Sequence, residues 1–102
     1  MKQPAVYIMA NKPNGTIYVG VTSDLIKRVY LHRNSLLDGF TKQYACKSLV
    51  FFEIHHTMES AILREKQLKA GSRQKKIKLI ELKNSSWADL YPQFTGASTS
   101  KL

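Results

Sequence analysis

The sequence contains very little cysteine and no clustered metal ligands. Cys46 is the only cysteine, which excludes an intramolecular disulfide, and we expect no disulfide-linked partner. The three histidines are scattered, so together with Cys46 they form no group at zinc-ligand spacing. We therefore expect Cys46 to be a structural residue.

Long hydrophobic runs are also missing. No apolar stretch is long enough to span a bilayer, and the apolar run after Pro4 is too short for a signal peptide. There is no internal repeat and no glycine-rich phosphate loop. These absences predict a soluble, cytoplasmic protein without a membrane partner.

Acidic residues are scarce relative to basic ones. Sixteen Lys and Arg against seven Asp and Glu give a formal charge of +9, which suits a polyanionic partner such as nucleic acid or an anionic membrane surface. A chain of 102 residues has room for one domain and a modest core. We expect that domain to cover residues 1–94, followed by a small, polar, disordered tail over residues 95–102.

The most informative stretch is a predicted β-hairpin over residues 6–21. Asn14-Gly15 between runs rich in Val, Ile and Tyr favours a hairpin, because both residues tolerate positive φ. A two-residue loop and a four-residue loop both put Tyr7 and Tyr18 on one face. We prefer the four-residue loop, since it places Gly20 opposite Tyr7 and leaves the ring room. The alternative is that the tyrosines are there only because strands favour them.

A first helix is predicted to begin after Ser23, acting as its N-cap, and to run to about Leu36. Arg28 and His32 lie one turn apart on this helix and border its apolar face. Polar side chains in that position either serve a functional site or snorkel at the boundary of the core. The sequence leaves both readings open.

Four further segments complete the predicted fold. A polar loop over residues 41–43 leads to a third strand over residues 48–54, which is rich in β-forming side chains. Helices follow over residues 57–69 and 73–83, the second with five basic residues that suit phosphate contacts or form a solvated face. The aromatic and apolar residues within 87–91 are expected to pack back onto the core.

Glu65 is out of place on the predicted helix over residues 57–69. On a helical wheel it lies within the apolar stripe formed by Met58, Ala61 and Leu68. An ionised carboxylate on a buried face is costly unless it is paired or bound to a metal. The alternatives are therefore a deep salt bridge and a metal ligand.

Taken in order, these residues resemble the GIY-YIG nuclease domain, with Ala-Val-Tyr in place of Gly-Ile-Tyr. The residues that carry the resemblance are Ala5 to Tyr7, Tyr18 to Gly20, Arg28, His32, Glu65 and Asn84. Further matching runs are residues 18–33, 39–42, 61–69 and 84–90. The chain is similar to the small stand-alone bacterial members, the UPF0213 or YhbQ-like group. The resemblance implies an α+β fold in which helices flank a three-stranded antiparallel sheet.

The resemblance also implies an endonuclease that hydrolyses phosphodiester bonds in DNA with Mg²⁺, for which Mn²⁺ can substitute. The implied catalytic residues are Tyr7, Tyr18, Arg28, His32 and Asn84, and the implied metal ligand is Glu65. Tyr7 is the favoured base for the attacking water, provided that nearby positive charge lowers its pKa. Arg28 would hold the scissile phosphate, and His32 would position water or assist proton transfer. Asn84 would order the active-site network.

Contacts with nucleic acid are expected from the basic residues around this site. These are Lys27, Lys69, Arg73, Lys75, Lys76 and Lys78. One small domain offers charge and shape but few base contacts, which predicts weak sequence preference and strong salt sensitivity. The expected substrate is a flap, nick or single strand, met in DNA repair or recombination. The alternatives are a non-catalytic nucleic-acid-binding module with the same fold and a basic domain that binds another partner.

Overall fold

The computed structural model describes residues 2–95, which form one three-stranded antiparallel sheet with helices on both faces. The strands are β1 (Ala5–Ala10), β2 (Ile17–Thr22) and β3 (Ser48–Ile54), in the order β2-β1-β3. The helices are α1 (Leu25–Arg33), α2 (Phe40–Gln43), α3 (Met58–Ala70), α4 (Arg73–Lys83) and α5 (Pro92–Thr95). The predicted α+β architecture is confirmed, and β3 has the predicted bounds.

The hairpin has the register of the four-residue loop. Strands β1 and β2 pair Tyr7 with Gly20 and Met9 with Tyr18. Tyr7 and Tyr18 therefore lie on the same face of the sheet, as expected from an even loop. Their ring centroids are 6.3 Å apart. The parity of the loop thus brings two residues that are eleven positions apart into one site.

The loop itself is only partly as predicted. Gly15 N donates a hydrogen bond to Lys12 O at 3.0 Å, which closes the turn. Asn14 has a φ of 57°, whereas Gly15 is not among the residues with positive φ. The loop leaves no room for a side chain at Gly15, because a Cβ there would lie 2.1 Å from Asn11 Oδ1. Of the two residues that tolerate positive φ, only Asn14 adopts it.

Strand β1 lies in the middle of the sheet, and all six of its residues are buried. Alternate side chains point to opposite faces, so β1 contributes to two cores. The core on the α3 and α4 side includes Val6, Ile8, Ala61, Leu68, Ile80 and Trp87. The core on the α1 side includes Tyr7, Met9, Leu25, Val29, Cys46 and Leu49. The fully buried Cys46 has the structural position expected of it, and burial raises the pKa of its thiol.

Helix α1 begins one residue later than predicted. Asp24, not Ser23, is the N-cap, and its carboxylate accepts a backbone hydrogen bond from the first turn at 3.3 Å. Ser23 is still part of the extended chain, because its carbonyl oxygen accepts a hydrogen bond from Gln3 N at 2.7 Å. Ser and Asp are both good N-cap residues. Because Ser23 pairs with Gln3, the helix begins after Asp24.

The segment between α1 and β3 differs from the predicted polar loop. Helix α1 ends at Arg33 rather than Leu36, because Ser35 has a φ of 53°, outside the right-handed helical region. Leu36 is 60% exposed as a result. Residues 40–43 form α2, and this short helix turns Thr41 into the interior.

The second half of the described chain is close to its prediction. Thr57 caps α3 and Ser72 caps α4, through hydrogen bonds of 3.1 and 3.2 Å to the backbone. Trp87 packs into the core as expected. Thr95, placed in the tail by the sequence, belongs to α5, and the rest of that predicted tail, residues 96–102, lies outside the described residues. Between residues 2 and 95, no helix has the length and apolarity needed to cross a membrane.

Replacing Gly20 with alanine should destabilise the fold. The new Cβ would lie 2.5 Å from both Cζ and Oη of Tyr7, and the Tyr7 ring is fully buried. We expect the free energy of unfolding to fall by roughly 1–3 kcal/mol, the usual effect of overpacking a core. Urea denaturation measures it. Gly71→Ala is the matched control, since its Cβ would be no closer than 3.5 Å to any neighbour; equal losses in both variants would contradict the prediction.

Candidate active site

A buried chain of hydrogen bonds joins β1, α1 and α2. Tyr7 Oη and His32 Nε2 are 2.8 Å apart, and His32 Nδ1 and Thr41 Oγ1 are also 2.8 Å apart. The three residues are 0%, 4% and 4% exposed. Both imidazole nitrogens have a partner, which fixes the ring, and either tautomer satisfies the two hydroxyl groups.

His32 is neutral at physiological pH. Burial, helped by the positive charge of Arg28, lowers the pKa of His32 to about 4. A neutral imidazole donates one hydrogen bond and accepts one, as the chain of hydrogen bonds requires. One ring nitrogen of His32 therefore carries no proton and accepts a hydrogen bond from a neighbouring hydroxyl group.

The protonation of Tyr7 differs from the expectation. Burial raises its pKa, and the neighbouring Tyr18 and Glu65 add to this effect, whereas the charge and hydrogen bond of Arg28 oppose it. Arg28 lowers the Tyr7 pKa, but the raising effects are larger, so the condition for Tyr7 to act as a base by losing its own proton is not met. In this environment the phenol keeps its proton.

Glu65 faces inward, as its position on the helical wheel predicted. Its side chain is 12% exposed, and its Oε2 lies 2.6 Å from Lys69 Nζ, one turn along α3. Lys69 is itself half exposed, and its Nζ lies 5.9 Å from the centre of the Tyr18 ring. The required partner of Glu65 is thus a surface lysine rather than a buried cation.

Glu65 is a suitable donor for a hard cation, although no metal cluster surrounds it. Within residues 2–95, no three His, Cys, Asp or Glu side chains come together in a way that could hold a metal ion. Mg²⁺ is usually held by one or two carboxylates, with waters and substrate oxygens completing its coordination. A single, nearly buried carboxylate beside the tyrosines fits that pattern.

Arg28 lies at a cationic depression at the start of α1. This polar pocket of about 260 Å³ is lined by Arg28, Lys27 and Lys2, with Asp24 as its acidic member. Since Arg28 also contacts Tyr7, it joins the buried hydrogen-bond chain to a surface suited to phosphate. Lys27 lines the same pocket as Arg28, and its predicted contact with nucleic acid stays a prediction.

The other basic residues are spread along α3 and α4. Lys69 and Lys76 line a pocket beside β2, and Lys76 shares a second pocket with Lys75. Arg73 braces the hairpin loop instead, with two hydrogen bonds to backbone oxygens at 2.9 and 2.7 Å. Lys75 and Lys78 line a third depression on α4. The structure thus brings only part of the predicted basic set to the tyrosines.

Asn84 lies apart from the other predicted catalytic residues. Its Nδ2 donates to Val50 O at 3.0 Å and to Ala88 O at 2.8 Å, and its Oδ1 accepts from Ala88 N at 3.0 Å. These bonds tie the end of α4 to β3, at the sheet edge opposite β2. The predicted role of Asn84 in ordering the site stays a prediction, and these contacts give it no support.

Sequence reasoning missed three residues around the site, all next to or within α2. Thr41 completes the hydrogen-bond chain of His32. Phe40 stacks on Tyr18 with a centroid distance of 6.0 Å, and Tyr44 lies 4.7 Å from Phe40. The available signal was the spacing of Phe40 and Tyr44, because side chains four apart lie on the same side of a helix.

Known proteins are similar to this chain in sequence and in fold. The family model of the GIY-YIG catalytic domain matches residues 3–78. A UPF0213 protein of Staphylococcus saprophyticus is 38% identical over 80 residues, covering 78% of this chain and 96% of that protein. A UPF0213 protein of Staphylococcus aureus is 34% identical over 68 residues, covering 67% of this chain and 83% of that protein. The solution NMR structure of a UPF0213 protein from Bacillus halodurans is similar with a TM-score of 0.54 and 27% identity, covering 88% of this chain and 95% of that one.

The chain therefore belongs to the GIY-YIG catalytic domain family. Nuclease activity is what this domain family implies in general. The names of the UPF0213 relatives state neither a substrate nor a metal.

The lowered pKa of His32 predicts a loss of stability in mild acid. The unfolded histidine binds a proton near pH 6.5, whereas folded His32 binds one only near pH 4. The stabilisation is therefore fully present above about pH 6.5 and falls towards pH 4, by up to roughly 3 kcal/mol. Urea denaturation between pH 4 and 7 measures this slope. His32→Gln should flatten it, while His56→Gln, at an exposed position, should not; equal slopes in wild type and His32→Gln would refute the assignment.

Proposed function

We propose that this protein is a metal-dependent endonuclease that hydrolyses phosphodiester bonds in DNA. The observation that carries the proposal is the buried pair of Tyr7 and His32, with Arg28 against Tyr7 and the carboxylate of Glu65 close by. Phosphodiester hydrolysis needs a group that takes a proton from water, a cation that offsets developing charge, and a donor for a hard metal ion. Each need is met by one of these residues.

In this mechanism Tyr7 relays a proton from water to His32 and is not a phenolate in the resting protein. Because burial keeps its hydroxyl protonated, Tyr7 accepts a proton from the attacking water only as it gives its own proton to His32 Nε2, 2.8 Å away. This step requires the tautomer in which His32 Nδ1–H donates to Thr41 Oγ1. After the step, the water has become hydroxide, Tyr7 is again neutral and His32 is an imidazolium.

Arg28 and Glu65 provide the charged part of the proposed mechanism. Arg28 offsets the negative charge of the scissile phosphate, and Lys27 in the same pocket contacts the neighbouring backbone. Glu65 would hold Mg²⁺ or Mn²⁺, which when bound acts as a Lewis acid on a phosphate oxygen. Lys69, half exposed, can then turn from Glu65 towards a phosphate.

We further propose that the enzyme selects the structure of its substrate more than its sequence, in DNA repair or recombination. Lys27, Lys69 and Lys76 surround the site, and lysines contact the phosphate backbone whatever the bases are. Contacts of this kind account for the weak sequence preference, and the expected substrates are flaps, nicks or single strands.

Cleavage of labelled single-stranded, duplex, nicked and flap DNA at low salt tests the proposal. With Mg²⁺ or Mn²⁺ we expect wild type to cut at least one of these substrates. Glu65→Gln and Arg28→Ala should each slow cleavage by roughly 100-fold or more, because Arg28 would offset the negative charge of the transition state and Glu65 would hold the metal ion that does the same. Glu59→Gln, which removes an exposed carboxylate of the same helix, is the matched control. Binding of every substrate without cleavage by wild type would refute the enzyme and favour the non-catalytic module.

Lys27→Ala should reduce the salt dependence of DNA binding. The exposed ammonium lies in the Arg28 pocket, and each lost phosphate contact lowers the slope of log affinity against log salt by about one. Fluorescence anisotropy at several salt concentrations measures the slope without metal. Lys66→Ala, at an exposed position on α3, should keep the wild-type slope. A Lys27→Ala effect confined to one DNA sequence would argue against a backbone contact.

A further inference from the structure

A strip of three aromatic rings extends from the proposed active site onto the surface. This aromatic strip consists of Tyr18 on β2, Phe40 on α2 and Tyr44 directly after α2. Tyr18 and Phe40 are stacked with an interplanar angle of 29° and a centroid distance of 6.0 Å, and Tyr44 continues the strip 4.7 Å from Phe40. One end of the strip therefore lies 6.3 Å from the buried Tyr7 ring, and the other end faces solvent.

The side chains of Phe40 and Tyr44 are only partly buried. Phe40 is 43% exposed and Tyr44 is 44% exposed. The inward residue of α2 is Thr41, which is 4% exposed and bonded to His32. Exposed aromatic surface adds little to stability, because it remains in contact with water. Two neighbouring half-exposed rings are thus available to a ligand with a flat apolar face.

Positive charge lies along the same strip. Tyr18 and Phe40 line a pocket of about 290 Å³ together with Lys69 and Lys76. The ammonium of Lys69 is 5.9 Å from the centre of the Tyr18 ring. Aromatic faces combined with lysines that follow a phosphate backbone are the arrangement by which proteins bind single-stranded nucleic acid. The complementary ligand carries a flat base and an adjacent negative charge.

We propose that Phe40 and Tyr44 form a stacking subsite for one unpaired base beside the scissile phosphate, with Lys69 and Lys76 at its backbone. The inference rests on the proposed nuclease function and narrows its substrate to nucleic acid with an unpaired nucleotide at the site. A paired base is already covered on both faces by its neighbours in the duplex, so only an unpaired base can stack on the strip. The aromatic side chains at α2 would then distinguish unpaired from paired nucleic acid, whereas the lysines would contact the phosphate backbone of either form.

Binding to single-stranded DNA and to a duplex of the same sequence, in EDTA so that no cleavage occurs, tests the subsite. Fluorescence anisotropy should show Phe40→Ala binding the single strand roughly 5- to 100-fold more weakly, the range for one stacked base. Duplex affinity should change less than about twofold, since backbone contacts remain. Phe40→Trp, which keeps an aromatic ring at this position, should bind the single strand much more tightly than Phe40→Ala. Tyr44→Ala, which leaves the Phe40–Tyr18 stack in place, should give a loss of the same sign.

A second readout reports stacking directly. An oligonucleotide with 2-aminopurine at successive positions should lose fluorescence at one position on binding wild type, and regain it with Phe40→Ala or Tyr44→Ala. Tyr30→Ala is the matched control, because Tyr30 is 50% exposed on α1 and outside the strip. Thermal melting followed by circular dichroism confirms that each variant is folded.

The outcomes separate the subsite from the nuclease. Unchanged single-strand affinity and unchanged quenching in both Phe40→Ala and Tyr44→Ala overturn the subsite, even if wild type cleaves DNA. Loss of stacking in these variants, combined with no cleavage by wild type, supports the subsite and overturns only the nuclease. A dimer seen by sedimentation and lost in both variants, with single-strand affinity unchanged, would assign the strip to a second copy of the chain and overturn the proposal.

Discussion

The hydrogen bond between Tyr7 and His32 is the constraint on which the rest of the structure depends. It lies inside the core on the α1 side, where an unpartnered hydroxyl or imidazole would cost roughly 1–3 kcal/mol. Tyr7 can occupy its place only because Gly20 opposite has no side chain, and His32 is held from its other nitrogen by Thr41. Across residues 2–95, no buried polar side-chain atom lacks a hydrogen-bond partner. The candidate site is therefore part of the core rather than an addition to it.

The same burial divides the site into a neutral interior and a charged rim. Burial moves the pKa of Tyr7 up and that of His32 down, so both groups are neutral in the resting protein. The charged groups, Arg28, Glu65 and Lys69, lie where some solvent reaches them, which avoids the penalty of an isolated buried ion. In the proposed reaction, proton transfer and charge compensation would therefore be carried out by different residues, and substrate that covers the rim would strengthen each electrostatic interaction by excluding water.

The parts of this structure that the sequence predicts are those governed by local pattern. Loop parity and one glycine were enough to give the register that joins Tyr7 to Tyr18, and a helical wheel was enough to turn Glu65 inward. Helix α2 was missed because four residues are too few to show a helical period, and its position depends on Thr41 bonding to a residue nine positions earlier. The direction of the Tyr7 pKa was missed for a related reason: desolvation by residues distant in sequence outweighs the visible positive charge.

A net positive charge would favour association with a polyanion, but it does not determine where on the surface the polyanion would bind. A formal charge of +9 would attract any nucleic acid, yet Arg73 is engaged in bracing the hairpin loop, and Lys75 and Lys78 line a depression on α4 that includes no tyrosine. Only a few cations reach the tyrosines, and they would hold paired and unpaired strands through the same phosphate contacts. Any preference between those forms must therefore come from uncharged groups at the rim. In the part of the chain that the structure describes, Phe40 and Tyr44 are the exposed rings that continue the aromatic contacts of Tyr18. A preference for unpaired strands would therefore depend on α2, the helix that the sequence analysis did not predict.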